Sequence, residues 1–394
     1  MCPEPAYARK ILNFLKIPLI FFSLYAAPQA QFEFFGYYEA EIDQIAFSDI
    51  DYIFGYNKLR LDFTSRPREY LFLGGNINIQ KYLGKTSWDF LDFLPPKIKD
   101  EFEPGDQLIL EIRDSLYLDN LFLRASLDRL DITIGRQPIS LGTGYAWNPL
   151  DIFNNKDLLD PTYEQPGINA VRVEIALAGR TGADIIIAPD RNWKMSKKMV
   201  QLKKGIGSFD ISLNWARQNH LYPYWKFKDT EKTHTLTNFT GVSLVGQIGE
   251  LGLWAEVLRS YKAPVDYGEY VAGLDHTFDN GIYVMAEYLH NTLGVKKDEV
   301  GFVNYAHFFA GETLGILENY LFSAAQFSLS DFLGAGLFGF SNLDDGSFSI
   351  VPQIEWTGLE NMSFSLLLSG SGGPKNSEFG VQGRTLRIRY KAYF

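Results

Sequence analysis

The last eleven residues, Arg384–Phe394 (RTLRIRYKAYF), decide the fold. In an extended chain Leu386, Ile388, Tyr390, Ala392 and Phe394 fall on one face, and Thr385, Arg387, Arg389, Lys391 and Tyr393 on the other, because successive strand side chains point to opposite sides. One face is greasy and the other mostly cationic. The same two-residue alternation recurs upstream. Met362, Phe364, Leu366 and Leu368 oppose Ser363, Ser365 and Ser369, and Phe348, Ile350, Ile354 and Trp356 oppose Ser349, Gln353, Glu355 and Thr357. Val171, Val173 and Ile175 oppose Arg172 and Glu174, and Leu108, Leu110, Ile112, Leu116 and Leu118 oppose Glu111, Arg113, Ser115, Tyr117 and Asp119.

A soluble sandwich also alternates. These segments, however, run about 9–13 residues, close to the 9–11 that a tilted strand needs to cross a bilayer and well beyond the 5–6 of a usual sandwich strand. Their connections alternate between very short and long. Short turns rich in Gly, Asp and Asn stand at Ser65–Arg68, Asp128-Arg129, Gly179-Arg180, Gly205–Gly207, Gly249-Glu250, Asp279-Asn280, Ser330-Asp331 and Gly358–Asn361, as tight hairpins require. Long connections are expected over 43–54, 81–106, 138–167, 189–198, 218–236, 262–267, 291–316, 341–346 and 370–380. Seventeen connections join about eighteen antiparallel strands, with both termini at the short-turn end. The expected fold is therefore all-β: a transmembrane, antiparallel, up-and-down β-barrel. Residues 302–309 are placed in a long loop; a strand there would change the count, and sixteen strands is the alternative. The apolar phase of 107–127 switches near Asp119-Asn120, which predicts a bulge. Lipid offers no hydrogen bonds, so such a sheet must close its edges, with an apolar outside and a polar inside. Phe34, Phe35, Tyr37, Tyr38, Trp254, Trp356 and Tyr393 are expected in interfacial aromatic girdles.

The N-terminus is an address. Arg9, Lys10 and Lys16 precede the apolar run Ile17–Ala27 and the small-residue stretch to Ala30, the order of a secretory signal peptide. Residues 1–30 are expected to be removed, leaving 31–394 as the barrel. The single cysteine, Cys2, leaves with them, so the mature chain needs no disulfide in an oxidising compartment. With 37 basic against 47 acidic residues, no cationic excess exists to bind nucleic acid. Outside the leader the longest uncharged stretch, Thr233–Gly249, is full of Thr, Asn and Gln and is no membrane helix.

Residues 113–154 read RDSLYLDNLFLRASLDRLDITIGRQPISLGTGYAWNPLDIFN. The hairpin leading to Gly135-Arg136-Gln137, then Gly142, then Asn148-Pro149 and Asp151, resembles Gram-negative outer-membrane porin-like barrels, among them the alginate-export barrels and related porin-like proteins. The final strand, with Tyr390 and Phe394, resembles the signal read by the outer-membrane barrel-assembly machinery, although Ala392 stands where that signal often carries an aromatic residue. The resemblance implies a channel of the Gram-negative outer membrane, surrounded by outer-membrane lipids and passing small hydrophilic solutes or ions, saccharides among them. It implies no cofactor and sets no oligomeric state.

Alternation places Glu111, Arg113, Asp131, Arg172, Glu174, Glu256, Glu355, Arg387 and Arg389 on the lumen side. Arg136, after Gly135, either snorkels to the interface or turns inward. Mixed charge on a channel wall sorts solutes by charge; cross-strand salt pairs are the structural alternative for Arg172 and Glu174. Arg113 and Arg136 lead the channel candidates because both lie in the resembling segment. Pro138, Pro149, Pro161 and Pro166 stiffen the loop 138–167, which is expected to fold inward and narrow the pore with Tyr145, Trp147, Asp151 and Asp157. Two other classes stay open. A scaffold barrel could sheathe a partner such as a cytochrome, although this chain has no Cys-x-x-Cys-His of its own. A lipase-type outer-membrane hydrolase would need a Ser beside a strand-borne His such as His290. His220, His234, His276, His290 and His307 show no metal-ligand spacing.

Overall fold

Strands that alternate greasy and polar over this length have to hydrogen-bond to one another all the way round, and they do. The computed structural model describes residues 31–47, 50–154, 164–223, 232–261, 266–309, 313–380 and 383–394. The expected leader, residues 1–30, and Asp157 lie outside the described residues. Twenty strands follow in chain order: β1 (Phe32–Phe47), β2 (Ile50–Arg68), β3 (Leu71–Gly84), β4 (Ser87–Asp89), β5 (Ile109–Glu111), β6 (Ser115–Leu127), β7 (Leu130–Gln137), β8 (Ile168–Ala176), β9 (Thr181–Ala188), β10 (Lys197–Ile206), β11 (Phe209–Pro223), β12 (Lys232–Ile248), β13 (Leu251–Tyr261), β14 (Tyr267–Thr277), β15 (Tyr283–Asn291), β16 (Asn319–Ser330), β17 (Leu333–Asn342), β18 (Ser347–Leu359), β19 (Met362–Gly372) and β20 (Gly383–Tyr393). All but β4 and β5, which form a separate ribbon, belong to one 18-stranded antiparallel sheet. Each strand of that sheet pairs with the next, and β20 returns to β1 in the register Tyr37↔Tyr393 to Phe47↔Gly383. The barrel is closed, so no edge is left unpaired. Among the described residues no helix is long and apolar enough to cross a membrane.

The tight turns gather at one end. Residues 249–250 and 360–361 make two-residue hairpins, with Gly249 at φ +62° and Asn361 at φ +56°, the left-handed conformation such turns demand. At the opposite, loop end strand occupies the described residues of two expected long loops, 43–47 with 50–54 and 218–223 with 232–236. β1 and β2 pair as far as Phe47↔Ile50, and β11 and β12 as far as Pro223↔Lys232. The strands of these hairpins are 15–19 residues long, well beyond the 9–11 that a bilayer crossing needs. Beyond the crossing an outward side chain no longer has to be apolar, so alternation lapses while backbone pairing continues. Residues 302–309 form a helix, which leaves the strand count at eighteen. The bulge on β6 is present: Gly75 pairs with Leu121 and Ile77 with Leu118, so Asn76 faces both Asp119 and Asn120.

The two faces differ as the pattern demands. Phe34 (75% exposed), Leu116 (73%) and Ile388 (51%) point outward, whereas Thr133, Glu256 and Glu287 (each 0%) point into the barrel. Four of the expected girdle aromatics lie on inner strand faces instead: Phe35 and Tyr37 share the face of Glu39, Trp254 that of Glu256 and Tyr393 that of Lys391, with Tyr37 and Trp254 buried. Alternation decides the side, and an aromatic ring near a strand end carries no information about it.

Two long connections meet over the barrel mouth. Residues 85–114 leave the sheet between β3 and β6, and residues 292–318 between β15 and β16, ten strands away in one direction and eight in the other. Leu91, Leu94 and Ile98 from the first pack on Phe302, Tyr305 and Ile316 from the second. Phe90 meets Phe309 edge-on at 4.7 Å and Phe102 meets Phe302 at 5.0 Å. The Phe302 N–H donates to the Glu101 carboxylate at 3.1 Å, and Lys97 donates to the Asp298 carbonyl at 2.8 Å.

Candidate functional site

The inner wall is built from ion pairs in cross-strand register. Glu39, Glu41 and Asp43 on β1 stand directly opposite Lys391, Arg389 and Arg387 on β20. Their contacts are Lys391–Glu39 at 2.9 Å, Arg389–Glu41 at 2.5 Å and Arg387–Asp43 at 2.8 Å. Opposite charges facing one another stabilise a strand pair and a slipped register would break all three, so the barrel's first and last strands meet with a charge code for alignment. On β2, Arg60 pairs with Asp62 at 2.9 Å. A second ladder crosses β8, β9 and β10: Arg172 reaches Asp184 at 2.8 Å and Glu174 at 2.9 Å, and Lys203 reaches Asp184 at 2.8 Å. Asp131 on β7 lies on the same face as buried Thr133.

The loop 138–167 runs from β7 to β8, yet its residues 141–150 bind the far wall. Glu256 on β13 accepts the backbone N–H of Thr143, of Gly144 at 2.7 Å and of Leu150 at 3.2 Å, and the Thr143 hydroxyl at 3.1 Å. Glu287 on β15 accepts the N–H groups of Tyr145, Ala146 and Trp147 at 2.6, 2.9 and 2.7 Å, and the Trp254 indole at 2.5 Å. Two fully buried carboxylates thus satisfy a run of backbone donors that would otherwise be orphaned. The GTG sequence makes this approach possible: Gly142 sits at φ +82°, and a Cβ there would collide with Asn148 and Glu256. Trp147 is buried against Tyr320 and Phe340 (centroids 5.9 and 6.3 Å), and Tyr145 stacks on Phe322 at 5.6 Å. Asp151 works within the loop, accepting the N–H groups of Leu141 and Phe153 at 3.4 and 3.3 Å.

The other end of the loop binds the opposite wall. The Glu164 carboxylate meets Lys58 at 3.0 Å, Arg60 at 3.1 Å, Lys391 at 3.4 Å and the Tyr37 hydroxyl at 2.7 Å. Burial raises its pKa, but Lys58, the Tyr37 hydrogen bond and Lys391 together outweigh burial and hold it down to about 2. A carboxylate with a depressed folded pKa adds stability above its ordinary pKa, near 4.3, and that contribution is lost as pH falls toward the folded value. Hydrogen exchange at Gln165 and Gly167 should therefore stay slow to about pH 4.5 and quicken between there and about pH 2. Exchange that ignores pH across this window, or a Glu164→Gln variant that keeps the wild-type profile, would disprove the tether.

The remaining sequence candidates are distributed differently. Arg113 (81% exposed) and Glu111 (53%) pair with each other in and beside the β4–β5 ribbon at the loop end, because the barrel strand begins only at Ser115. Arg136 stays against the wall, its Nε donating to the Asp119 carbonyl at 2.7 Å, with Gly135 at φ +124° providing the kink. His290 faces outward and bonds Asn319 at 3.0 Å rather than a serine. Among the described residues no three His, Cys, Asp or Glu could hold a metal ion. Tyr390 packs outward on Phe364 (4.9 Å), and Phe394 exchanges two 3.0 Å backbone hydrogen bonds with Gly36 at the barrel seam. Glu287 was absent from the sequence candidates. Its signal was a lone carboxylate on the apolar inner face Tyr283, Met285, Leu289, where only buried donors can compensate a charge.

Among solved structures, the barrel is similar to Pseudomonas aeruginosa OccK9 (OpdG), with 10% identity, 92% of this chain and 98% of that chain covered and a TM-score of 0.59. It is similar to Acinetobacter baumannii OccAB4 at 10% identity, with 93% and 99% covered and a TM-score of 0.58. Pseudomonas aeruginosa OccK11 (OpdR) gives 10%, 92%, 96% and 0.56 for the same quantities. At this identity the likeness is one of fold. No family model matches the chain, and no curated protein does. The alginate-export likeness rests on the motif in residues 113–154 alone.

Proposed function

We propose that this chain is a porin-like channel of the Gram-negative outer membrane through which small hydrophilic solutes and ions, saccharides among them, diffuse passively. The observation that carries the reading is the inverted barrel crossed by its own loop. Apolar side chains cover the outside, ion ladders line the inner faces of β1, β2, β8–β10 and β20 while a buried apolar cluster that includes Met285, Leu289, Phe322 and Phe340 lines β13–β19, and residues 138–167 are tied by Glu256 and Glu287 to one wall and by Glu164 to the other. Such a strap narrows the cylinder, and a cavity of about 340 Å³ lined by Tyr283, Gln326, Phe338, Gln353 and Glu355 lies on its turn-end side. In this reading Asp131, Arg172 and Glu174 line the path and Tyr145 stands at the narrowing. Trp147 and Asp151 hold the strap, and Arg113, Glu111 and Arg136 lie toward the loop-end entrance. Paired wall charges set a transverse field that orients polar solutes while keeping net attraction low enough for release. The β20 strand, with Tyr390 and Phe394, is the segment that the barrel-assembly machinery would engage. Purified protein in a planar bilayer should give stepwise ion currents. Folded, inserted protein that passes none would refute the channel reading.

A further inference from the structure

The outer surface of the barrel carries one group of side chains that neither the fold nor the channel explains. Lys198 on β10, Arg217 on β11 and Arg259 on β13 all face outward, since their neighbours Met199, Ala216, Gln218, Leu258 and Ser260 are buried inward. Lys198 and Arg259 stand near the loop end of their strands, and Arg217, midway along β11, lies at the same level as Lys198. Lys198 is directly opposite Arg217. Arg217 pairs with Asn238 and Arg259 with Thr240, two residues further along the same intervening strand, β12. Strands lie about 4.8 Å apart, so three long cationic side chains can converge on one spot. Like charges in direct register destabilise a strand pair, yet among the described residues neither arginine has an acidic partner. Lys198 lies 4.1 Å above the exposed ring of Trp193. One step toward the barrel waist the outward residues are Val200, Trp215 and Val257, and the next are Leu202 and Leu213. Cations and aromatic rings therefore sit above an apolar wall, in the order of an anionic amphiphile's own parts.

We propose that this face binds a phosphorylated glycolipid of the leaflet at the loop end, with its phosphates on Lys198, Arg217 and Arg259 and its acyl chains along Leu202, Leu213 and Val257. Guanidinium groups match phosphate oxygens two at a time, which favours phosphate over a single carboxylate. The apolar outward wall of Val200, Trp215, Val257, Leu202 and Leu213 directly below the cations suits acyl chains, so a lipid is the occupant that uses both parts of the face. The inference rests on the outer-membrane reading above.

The test uses full-length folded protein in a zwitterionic detergent, with bisphosphorylated lipid A and the same lipid stripped of phosphate as probes, read by native mass spectrometry and thermal unfolding. Wild type should hold bisphosphorylated lipid A and gain thermal stability, with the stripped lipid about tenfold or more weaker. Arg217→Gln with Arg259→Gln should lose that preference. Arg217→Lys with Arg259→Lys, which keeps the charge but not the fork, should keep only part of it, and Arg384→Gln, an outward arginine on β20, should keep all of it. Equal binding of both lipids, or undiminished binding by the double Gln variant, overturns the proposal. So does a lipid-free oligomer that the same double variant dissociates, because the occupant would then be a second copy. Insertion into phosphatidylcholine vesicles is measured in parallel. A chain that inserts but ignores the phosphates sinks only this proposal, and a chain that does not insert sinks the membrane reading beneath it.

Discussion

Glu256→Gln combined with Glu287→Gln should free residues 141–150 from the wall and raise single-channel conductance by roughly twofold or more, since these residues are held across the lumen from their own strands. Each carboxylate accepts at least three backbone N–H groups while fully buried. An amide presents one oxygen to them and turns an NH2 against the rest, which costs on the order of 2–3 kcal/mol of loop seating per site. That converts to about a hundredfold more opening per site, visible as hydrogen exchange at Thr143–Trp147. The barrel should still fold, because its strand ladders do not pass through either side chain. Unchanged conductance together with unchanged exchange would mean that the loop is held by Trp147 packing and not by the carboxylates.

Lys58→Gln, Arg60→Gln and Lys391→Gln together should turn the channel toward cations. On the inner faces of β20, β1 and β2 the cations Lys58, Arg60, Arg387, Arg389 and Lys391 are matched by Glu39, Glu41, Asp43, Asp62 and the loop's Glu164. Removing three of five cations leaves that wall strongly anionic and unties Glu164. Charges near a wet wall act on passing ions with about 1 kcal/mol at contact distance, so the potassium-to-chloride permeability ratio should rise roughly fivefold. Reversal potentials across a salt gradient measure this directly. Glu164→Gln alone should move the ratio the other way. If neither variant shifts the reversal potential, ions do not pass along this wall.

Much of the fold was legible because hydrocarbon imposes one rule on every crossing strand. The alternation in Arg384–Phe394 is reproduced in space, with Ile388 outward and Arg387 and Arg389 inward, and the short-turn and long-loop rhythm yields eighteen strands. Legibility ends where that rule ends. Above the membrane the hairpins β1–β2 and β11–β12 continue without alternation, so 43–54 and 218–236 read as loops. Arg113 looked like a wall residue because Leu108–Ile112 alternate, but those positions belong to the separate ribbon. The site is harder still. Which carboxylate on one strand receives which backbone of a distant loop depends on the closure of the whole cylinder, so Glu287 could be located by its odd setting but not given a partner.

The clasp of Leu91, Leu94 and Ile98 on Phe302, Tyr305 and Ile316 ties together almost diametrically opposed points of the rim. A hollow hydrogen-bonded tube is soft against ovalisation, because strands can hinge slightly at each pairing without breaking it. A tie-beam across the opening removes that mode at one end, while the turn end stays free to breathe. Lateral pressure changes in the surrounding bilayer would then deform this cylinder asymmetrically, as a cone rather than an ellipse.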